Sequence, residues 1–293
     1  MTICEVTMGP KLVITSIIIT AVVFAVAWMG DQTGSTLYGL PLMTAMALGI
    51  FVVQWIGLIH ARLFKTEHYF DLVGSLTYIT VTVFAVQQTA EIGLRQQIIA
   101  GVVIVWAARL GPFLFRRIQK AGEDRRFRKI KLSTPRFLLT WTLQGTWVFL
   151  TAGAALAAIM TPNKAALDTL FYLGAAMWLV GLAVEVIADN QKSTFKADPA
   201  NENKFITTGI WARAQHPNYF GEILLWAGVA VMALPSLSGS AMIFLISPVF
   251  VAVLLTRISG IPLLRKTAGA RWGDDPAYQA YLKNTPLIIP RIF

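Results

Sequence analysis

Charge is what this sequence has least of. Only 14% of its 293 residues are Asp, Glu, Lys or Arg, where a soluble domain carries roughly a quarter, so a water-soluble core does not account for the chain. Cysteine is nearly missing. The single one, Cys4, excludes an internal disulfide framework and any metal site built from several thiolates, and no metal ligand set is expected. No Gly-x-Gly-x-x-Gly follows a strand-like run, which excludes a Rossmann-type cradle for a nucleotide. Repeats and low-complexity tracts are absent as well. The net charge of +10 does not mark a nucleic-acid binder. The bases sit in short loops between apolar runs, a pattern of membrane topology and phosphate binding.

What the chain does have is hydrophobic length. At 56% hydrophobic residues it divides into eight apolar segments: 12–29, 40–63, 70–86, 97–118, 137–160, 167–188, 219–234 and 241–258. Each is near the length of about 20 residues that crosses a bilayer as a helix. Turn-forming runs punctuate them, among them Gly30-Asp-Gln-Thr-Gly34 and Pro235-Ser-Leu-Ser-Gly239. With the N-terminus placed in the cytoplasm, eight spans put 22 Lys and Arg on the cytoplasmic side and two, Arg95 and Lys164, on the other; Arg109 lies inside a span. That asymmetry supports eight spans and both termini in the cytoplasm. Seven remain if one segment is re-entrant. The fold class expected is all-α, a polytopic membrane bundle forming a single domain, with helices of about 1–160 on the substrate side and about 161–293 on the cofactor side. No cleavage site follows the first run, so it reads as a retained helix.

Ionisable and polar residues inside spans are site candidates, because lipid does not hold them cheaply. Asp71, Ser75 and Tyr78 repeat at i, i+4, i+7 and share one face of the third span. Asp71 and Tyr78 are the catalytic candidates. Trp106 and Arg109 share a face of the fourth span, Gln54 and His60 lie on the second, and Gln144 on the fifth. Gln54, Trp106 and Arg109 are candidate substrate contacts. The competing reading is that these side chains bond one another and fix helix packing.

The stretch 185–222 is different in kind: an apolar helix ends, a polar loop follows, and a new apolar helix begins. Glu185, Asp189, Lys192 and Lys196 fall on one stripe, acids first and bases last. Carboxylates accept from ribose or amide groups and bases bind phosphate oxygens, although a solvated helix end with i,i+4 ion pairs has the same pattern. Beyond the loop, with Arg213, comes His216-Pro217-Asn218-Tyr219-Phe220-Gly221-Glu222. Proline suits the first turn of a helix, His216 lies where a helix N-terminus attracts an anion, and Gly221 permits a close approach by ligand or backbone. The C-terminal part adds Arg257, Ser259-Gly260-Ile261-Pro262, Arg265 and Tyr281. It reads either as a cap over phosphates or as an interfacial tail on anionic lipid.

Taken together, these pieces resemble the steroid 5α-reductase family in its bacterial form, which is itself similar to sterol C14-reductases and isoprenylcysteine carboxyl methyltransferases. The matching pieces are Asp71-Leu-x-Gly74, Trp106-Ala-Ala-Arg109-Leu, Gly122-Glu-Asp-x-Arg126, Gln144-Gly145, Ala188-Asp-x-Gln-Lys192, Gly209-Ile-Trp211, His216-Pro-Asn-Tyr-Phe-Gly-Glu222, Ser259-Gly-Ile-Pro262 and the closing Tyr-x-x-Tyr segment. They run from about residue 65 onward. The resemblance implies a helical membrane enzyme that binds NADPH directly, with Asp189, Asn218, Glu222 and Arg257 at cofactor positions, Lys196 at that of a phosphate-binding base and Asp71 near that of the catalytic acid. Glu185, Lys192, Arg213, His216, Tyr219, Ser259 and Tyr281 complete the expected cofactor set. The chain departs from the family at Gln215, where relatives carry Arg, at Arg265, where they carry an acid, and at Trp106, where animal members carry a substrate-orienting tyrosine.

The mechanism expected is reduction of an apolar enone, most simply a 3-oxo-Δ4 steroid, in a monomer embedded in the bacterial inner membrane. Tyr78 and a protonated Asp71 hold the carbonyl oxygen. The rival readings are an S-adenosylmethionine-dependent methyltransferase on the same scaffold and a lipid sensor without a cofactor.

Overall fold

A computed structural model describes residues 3–291. It is nearly all-helical, and eight of its described helical stretches are long and apolar enough to cross a membrane. The protein is therefore an integral, multi-pass membrane protein, with eight candidate spans among the described residues. The spans are carried by α1 (Ile3–Gly30), α2 (Leu42–Leu63), α3 (Phe70–Gln87), α4 (Leu94–Ala121), α5 (Thr134–Met160), α6 (Thr169–Ala197), α7 (Pro217–Ala233) and a broken eighth element. A two-residue hairpin, β1 (Thr36–Leu37) on β2 (Leu40–Pro41), joins α1 to α2. Large apolar side chains such as Ile17 and Leu179 point outward, as they must where the solvent is lipid.

The chain folds as two compact units. One holds Met1–Asp168 with Ala233–Ile246, the other Thr169–Met232 with Ser247–Phe293. The first is built around α5, which α1, α2, α3 and α4 all contact. Its hydrophobic window is 83% buried, against 17% for α1. Composition explains the difference: Ala152, Gly153, Ala154, Ala155, Ala157 and Ala158 leave little side chain to offer lipid and let neighbouring backbones close in. Helix α4 begins earlier than hydropathy predicts. Arg95, expected in an external loop, is buried in its first turn, ion-paired to Asp168 at 2.7 Å and donating to the Ala166 carbonyl. Beside it Gln96 Nε2 donates to the carbonyls of Ala158, Ile159 and Thr161 at 2.9–3.1 Å. Gln96 is drawn in because the last carbonyls of α5 have no partner of their own, and Arg95 because the Ala166 carbonyl and the Asp168 carboxylate follow just beyond that helix.

The second unit is held by a glycine seam. A Cβ added at Gly181 would lie 2.6 Å from the Gly221 carbonyl oxygen, and one at Gly174 would lie 2.5 Å from that of Gly228; the reciprocal distances are the same. The pairs run antiparallel, spaced seven residues apart on both α6 and α7. That repeat keeps one seam in register along two helices, and only glycine lets the backbones touch. The eighth span is not the continuous helix expected. It runs as 3₁₀ over Gly239–Ile246, α over Ser247–Val253 (α8) and π over Leu254–Ile258. Helices α9 (Ile261–Trp272) and α10 (Pro276–Asn284) follow.

Candidate functional site

Burial along α6 follows the predicted stripe. Glu185 and Asp189 are buried, Lys192 is half-buried and Lys196 is exposed. The seam explains the inner end: a side chain at Gly221 would meet Glu185, so Glu185 and the buried Glu222 both belong to the α6–α7 crossing. At the outer end Gln191 Oε1 accepts from the Ile210 N–H at 3.0 Å and fills the space beside Gly209, whose φ of +61° only glycine adopts without strain. Trp211 is locked by its own bond, Nε1 to the Ala188 carbonyl at 3.0 Å, and the Lys192 ammonium lies 4.4 Å from its ring centroid. Attraction to the ring face holds the ammonium there. Sequence pieces some twenty residues apart thus become one surface.

His216 opens α7. Its carbonyl accepts from the N–H groups of Tyr219 and Phe220, and its imidazole stacks on Tyr219 at 5.4 Å. Tyr219 in turn closes on Gly260, where a Cβ would lie 2.9 Å from the ring. The His-Pro-Asn-Tyr and Ser-Gly-Ile-Pro pieces therefore meet. His216 Nδ1 is buried and has no hydrogen-bond partner among the described residues. Burial, then the charges of Lys192 and Arg265, push the imidazole pKa down to about 3. It is neutral at physiological pH, a polar atom held among cations and aimed at no protein group. A phosphate-bearing ligand suits such an atom, since an N–H there donates to an anion that the cations also attract. The buried carboxylates suit hydroxyl or amide donors. The donor set fits a phosphorylated nucleotide cofactor.

Other members of the expected cofactor set are placed differently. Tyr281 spends its hydroxyl on the Trp211 carbonyl at 2.7 Å, and burial followed by Tyr278 pushes its pKa up to about 12. Arg213 Nη1 donates to the Arg291 carbonyl, and the Arg291 N–H returns a bond to Arg213. With Gln215 N–H to Pro286 and His216 N–H to Leu287, these bonds strap the C-terminal segment along 213–216. Residues 286–291 are thus fixed along the start of α7. Gln215 is buried and donates to the Leu282 and Thr285 carbonyls at 3.0 and 2.6 Å, so the position serves to hold the C-terminal segment. Arg257 and Ser259 are exposed at the π turn, Ser259 Oγ donating to Leu254. Single π turns inside helices recur at functional sites. Asn218 is half-buried in the first turn of α7.

In the first unit the polar residues are spent largely on one another. Gln54, fully buried, donates to Thr77 Oγ1 at 2.8 Å and accepts from Gln144 Nε2 at 3.0 Å; Gln144 also donates to the Phe70 carbonyl. The amide expected to touch substrate is a closed link between α2, α3 and α5. Asp71 departs from expectation too. It accepts from Arg126 Nη2 at 2.8 Å, and an ion pair presents a carboxylate, an acceptor, where the sequence reading needs a protonated acid. Arg126 also grips Asp124. Burial pushes the Asp124 carboxyl up, but the hydrogen bond and charge of Arg126 outweigh it and hold it below its ordinary value. Arg126 is the residue that sequence reasoning passed over. Its signal was the Gly-Glu-Asp-x-Arg piece, which was matched but given no role. Tyr78 keeps a clearer site: buried, edge-on to the buried Trp106 at 5.1 Å, its hydroxyl 3.5 Å from the Trp147 carbonyl. Arg109 is half-buried with its guanidinium 5.0 Å from the Phe113 ring centroid.

No curated protein and no solved structure matches the chain. A family model described as a protein of unknown function (DUF1295) matches residues 57–285, a span that takes in α3 to α10 whole, together with the glycine seam and the His216 cluster. By that match over most of its length, the chain belongs to the DUF1295 family.

Proposed function

We propose that the protein is an NADPH-dependent reductase of the steroid 5α-reductase type, saturating the C4–C5 double bond of a 3-oxo-Δ4 steroid or a related apolar enone. The observation that carries the reading is His216. Its buried Nδ1 has no partner and lies under the influence of Lys192 and Arg265, while Glu185, Asp189 and Glu222 are buried in the same unit. Further support comes from the family, which is related to steroid 5α-reductase-like membrane proteins. Arg265, an acid in relatives, adds to the positive charge around His216 and favours a multiply phosphorylated cofactor.

In this reading Lys192, Arg265 and His216 bind phosphate, and the buried acids accept from ribose or amide groups. NADPH supplies the hydride. Tyr78 donates its hydroxyl proton in a hydrogen bond to the substrate carbonyl and stabilises the negative charge that develops on that oxygen. Asp71, ion-paired with Arg126, fixes the start of α3 and so the depth of Tyr78 one face below it. Trp106 orients the phenol by its edge contact. In the same reading the protein acts as a monomer in the bacterial inner membrane with both termini in the cytoplasm, an orientation that the Lys/Arg asymmetry supports.

A methyltransferase reading draws on one observation, the three buried carboxylates, which also suit the sulfonium of S-adenosylmethionine. One set of measurements separates the two. The full-length protein in detergent is titrated with NADPH and with S-adenosylmethionine, and NADPH oxidation is followed with progesterone and testosterone, with the product identified by mass. The reductase reading expects NADPH binding, steroid-dependent oxidation and a product two mass units heavier. It also expects Lys192→Met to weaken NADPH about tenfold, the loss of one charge-assisted contact, without changing progesterone affinity. Binding of S-adenosylmethionine alone would replace it with the methyltransferase reading.

A further inference from the structure

A slot of about 410 Å³ opens between α2 and α3 in the first unit. Its walls are Val53, Ile56, Val73 and Leu76, and Trp141 of α5 lines it from within. Gly57 contributes by having no side chain: a Cβ there would collide with the Trp141 ring. Ile56 and Leu76 are 60% and 52% exposed, so the slot opens on the hydrocarbon face of a membrane-spanning pair. Its volume is that of a small-ligand site.

One end is polar. Thr66, Glu67, Tyr69 and His60 line it where α2 turns into α3. Two of these are already committed. Glu67 accepts from the Asp124 N–H at 3.2 Å and pairs with Lys131 at 2.8 Å, and Thr66 Oγ1 accepts from the His68 N–H. His60 and Tyr69 are not. They meet edge to face at 5.8 Å, and Tyr69 stacks on Phe115, but neither side chain makes a hydrogen bond among the described residues. Ring contacts hold an imidazole and a phenol in place at the end of an apolar slot, with their polar atoms unspent.

We propose that this slot takes one rigid ring lipid of steroid or sterol size from the bilayer, with its terminal hydroxyl or keto oxygen bonded by Tyr69 and His60. The shape argues for this occupant. The walls are apolar throughout, and the polar end offers hydrogen bonds rather than a cluster of cations, which suits a neutral oxygen better than a phosphate headgroup. The inference deepens the reductase reading, on which it rests, by naming where the apolar substrate first leaves the lipid.

The test is photolabelling of the full-length protein in phosphatidylcholine nanodiscs with progesterone, whose enone is itself photoreactive, with labelled residues mapped by mass. Label is expected on residues 53–76. It should fall about tenfold in Leu76→Trp or in Ile56→Trp, each of which fills the slot from a different helix and takes away apolar surface that the ligand would bury. Leu179→Trp, on the lipid face of α6, should leave it unchanged. Label spread evenly over the lipid-facing residues, or insensitive to both slot variants, would overturn the proposal. Competition by palmitate as strong as that by unlabelled cholesterol would overturn the choice of a ring lipid. NADPH oxidation in the same discs keeps the two readings apart. Slot labelling without oxidation retains the slot and removes the reductase. Oxidation that persists undiminished in a variant that has lost its label retains the reductase and overturns the slot as the place where its substrate leaves the lipid.

Discussion

Two groups of polar residues, one in each unit, are used in opposite ways. In the first, Gln54, Gln144 and Thr77 close on one another, Arg126 spans Asp71 and Asp124, and Gln96 serves three carbonyls. In the second, the acids are buried where glycines bring α6 and α7 together, the bases stand half-buried or exposed, and His216 carries a buried nitrogen with no partner. A network that satisfies itself specifies helix packing. A buried polar atom left unmet carries a standing cost, about 1–3 kcal/mol for such a group, and at His216, under the charges of Lys192 and Arg265, an anionic ligand can relieve it. The second unit is accordingly where a cofactor is sought, and the first is where packing depends on amides.

The largest effect should come from breaking the seam. Gly221→Leu places a side chain into the backbone of α6, and no relaxation short of separating the helices accommodates it. The expected outcome is loss of folded protein in detergent, read by size-exclusion yield and melting temperature. Gly101→Leu, where a Cβ meets nothing within 4 Å, should behave as the parent does. Next in size is Tyr78→Phe. Removal of one hydrogen-bond donor to a developing oxyanion lowers turnover roughly 100-fold or more, and NADPH affinity should not move. Equal losses in both would mean that Tyr78 acts on structure and not on chemistry.

The closed network offers a subtler contrast. Gln144→Leu alone leaves Gln54 and the Phe70 carbonyl without their partner and should cost about 1–3 kcal/mol. Gln54→Leu with Gln144→Leu should cost less than the sum of the two singles, because fewer groups are left stranded. Strict additivity in chemical melts would show that the two amides do not act together. The smallest effect is one of pH. His216 titrates at about 3 in the folded protein and near its ordinary 6.5 when unfolded. The unfolded chain therefore binds the extra proton first, and the stability that comes from a neutral His216 is complete above pH 6.5. It is lost as pH falls toward 3, at no more than about 1.4 kcal/mol per pH unit. His216→Asn should flatten that slope. Bound phosphate should raise the folded pKa, visible as a shift in the imidazole titration by NMR.

Much of this architecture is legible without coordinates. The eight apolar runs correspond to eight crossing stretches because hydrophobic length is a local property. The stripe from Glu185 to Lys196 keeps its order of burial because helical periodicity is local too. The broken eighth span was not legible. Residues 241–258 are uniformly apolar, and nothing in that composition distinguishes α from 3₁₀ or π. Nor was the start of α4: Arg95 and Gln96 look like loop residues until the segment 158–168, at and beyond the end of α5, lies beside them.

The site divides along the same line. The sequence by itself determined that this is a multi-pass helical membrane protein, and that its acids, bases and His-Pro-Asn-Tyr piece lie at the ends of particular helices. Only the tertiary structure decided which polar groups are committed. Gln54 is bonded to Gln144, Tyr281 to the Trp211 backbone, Arg213 to the C-terminal strap and Asp71 to Arg126. The physical reason is that a hydrogen bond or an ion pair needs its partner within about 3 Å. For these residues the partner lies between 55 and 90 positions away in the chain, a proximity that packing creates and that no local pattern records.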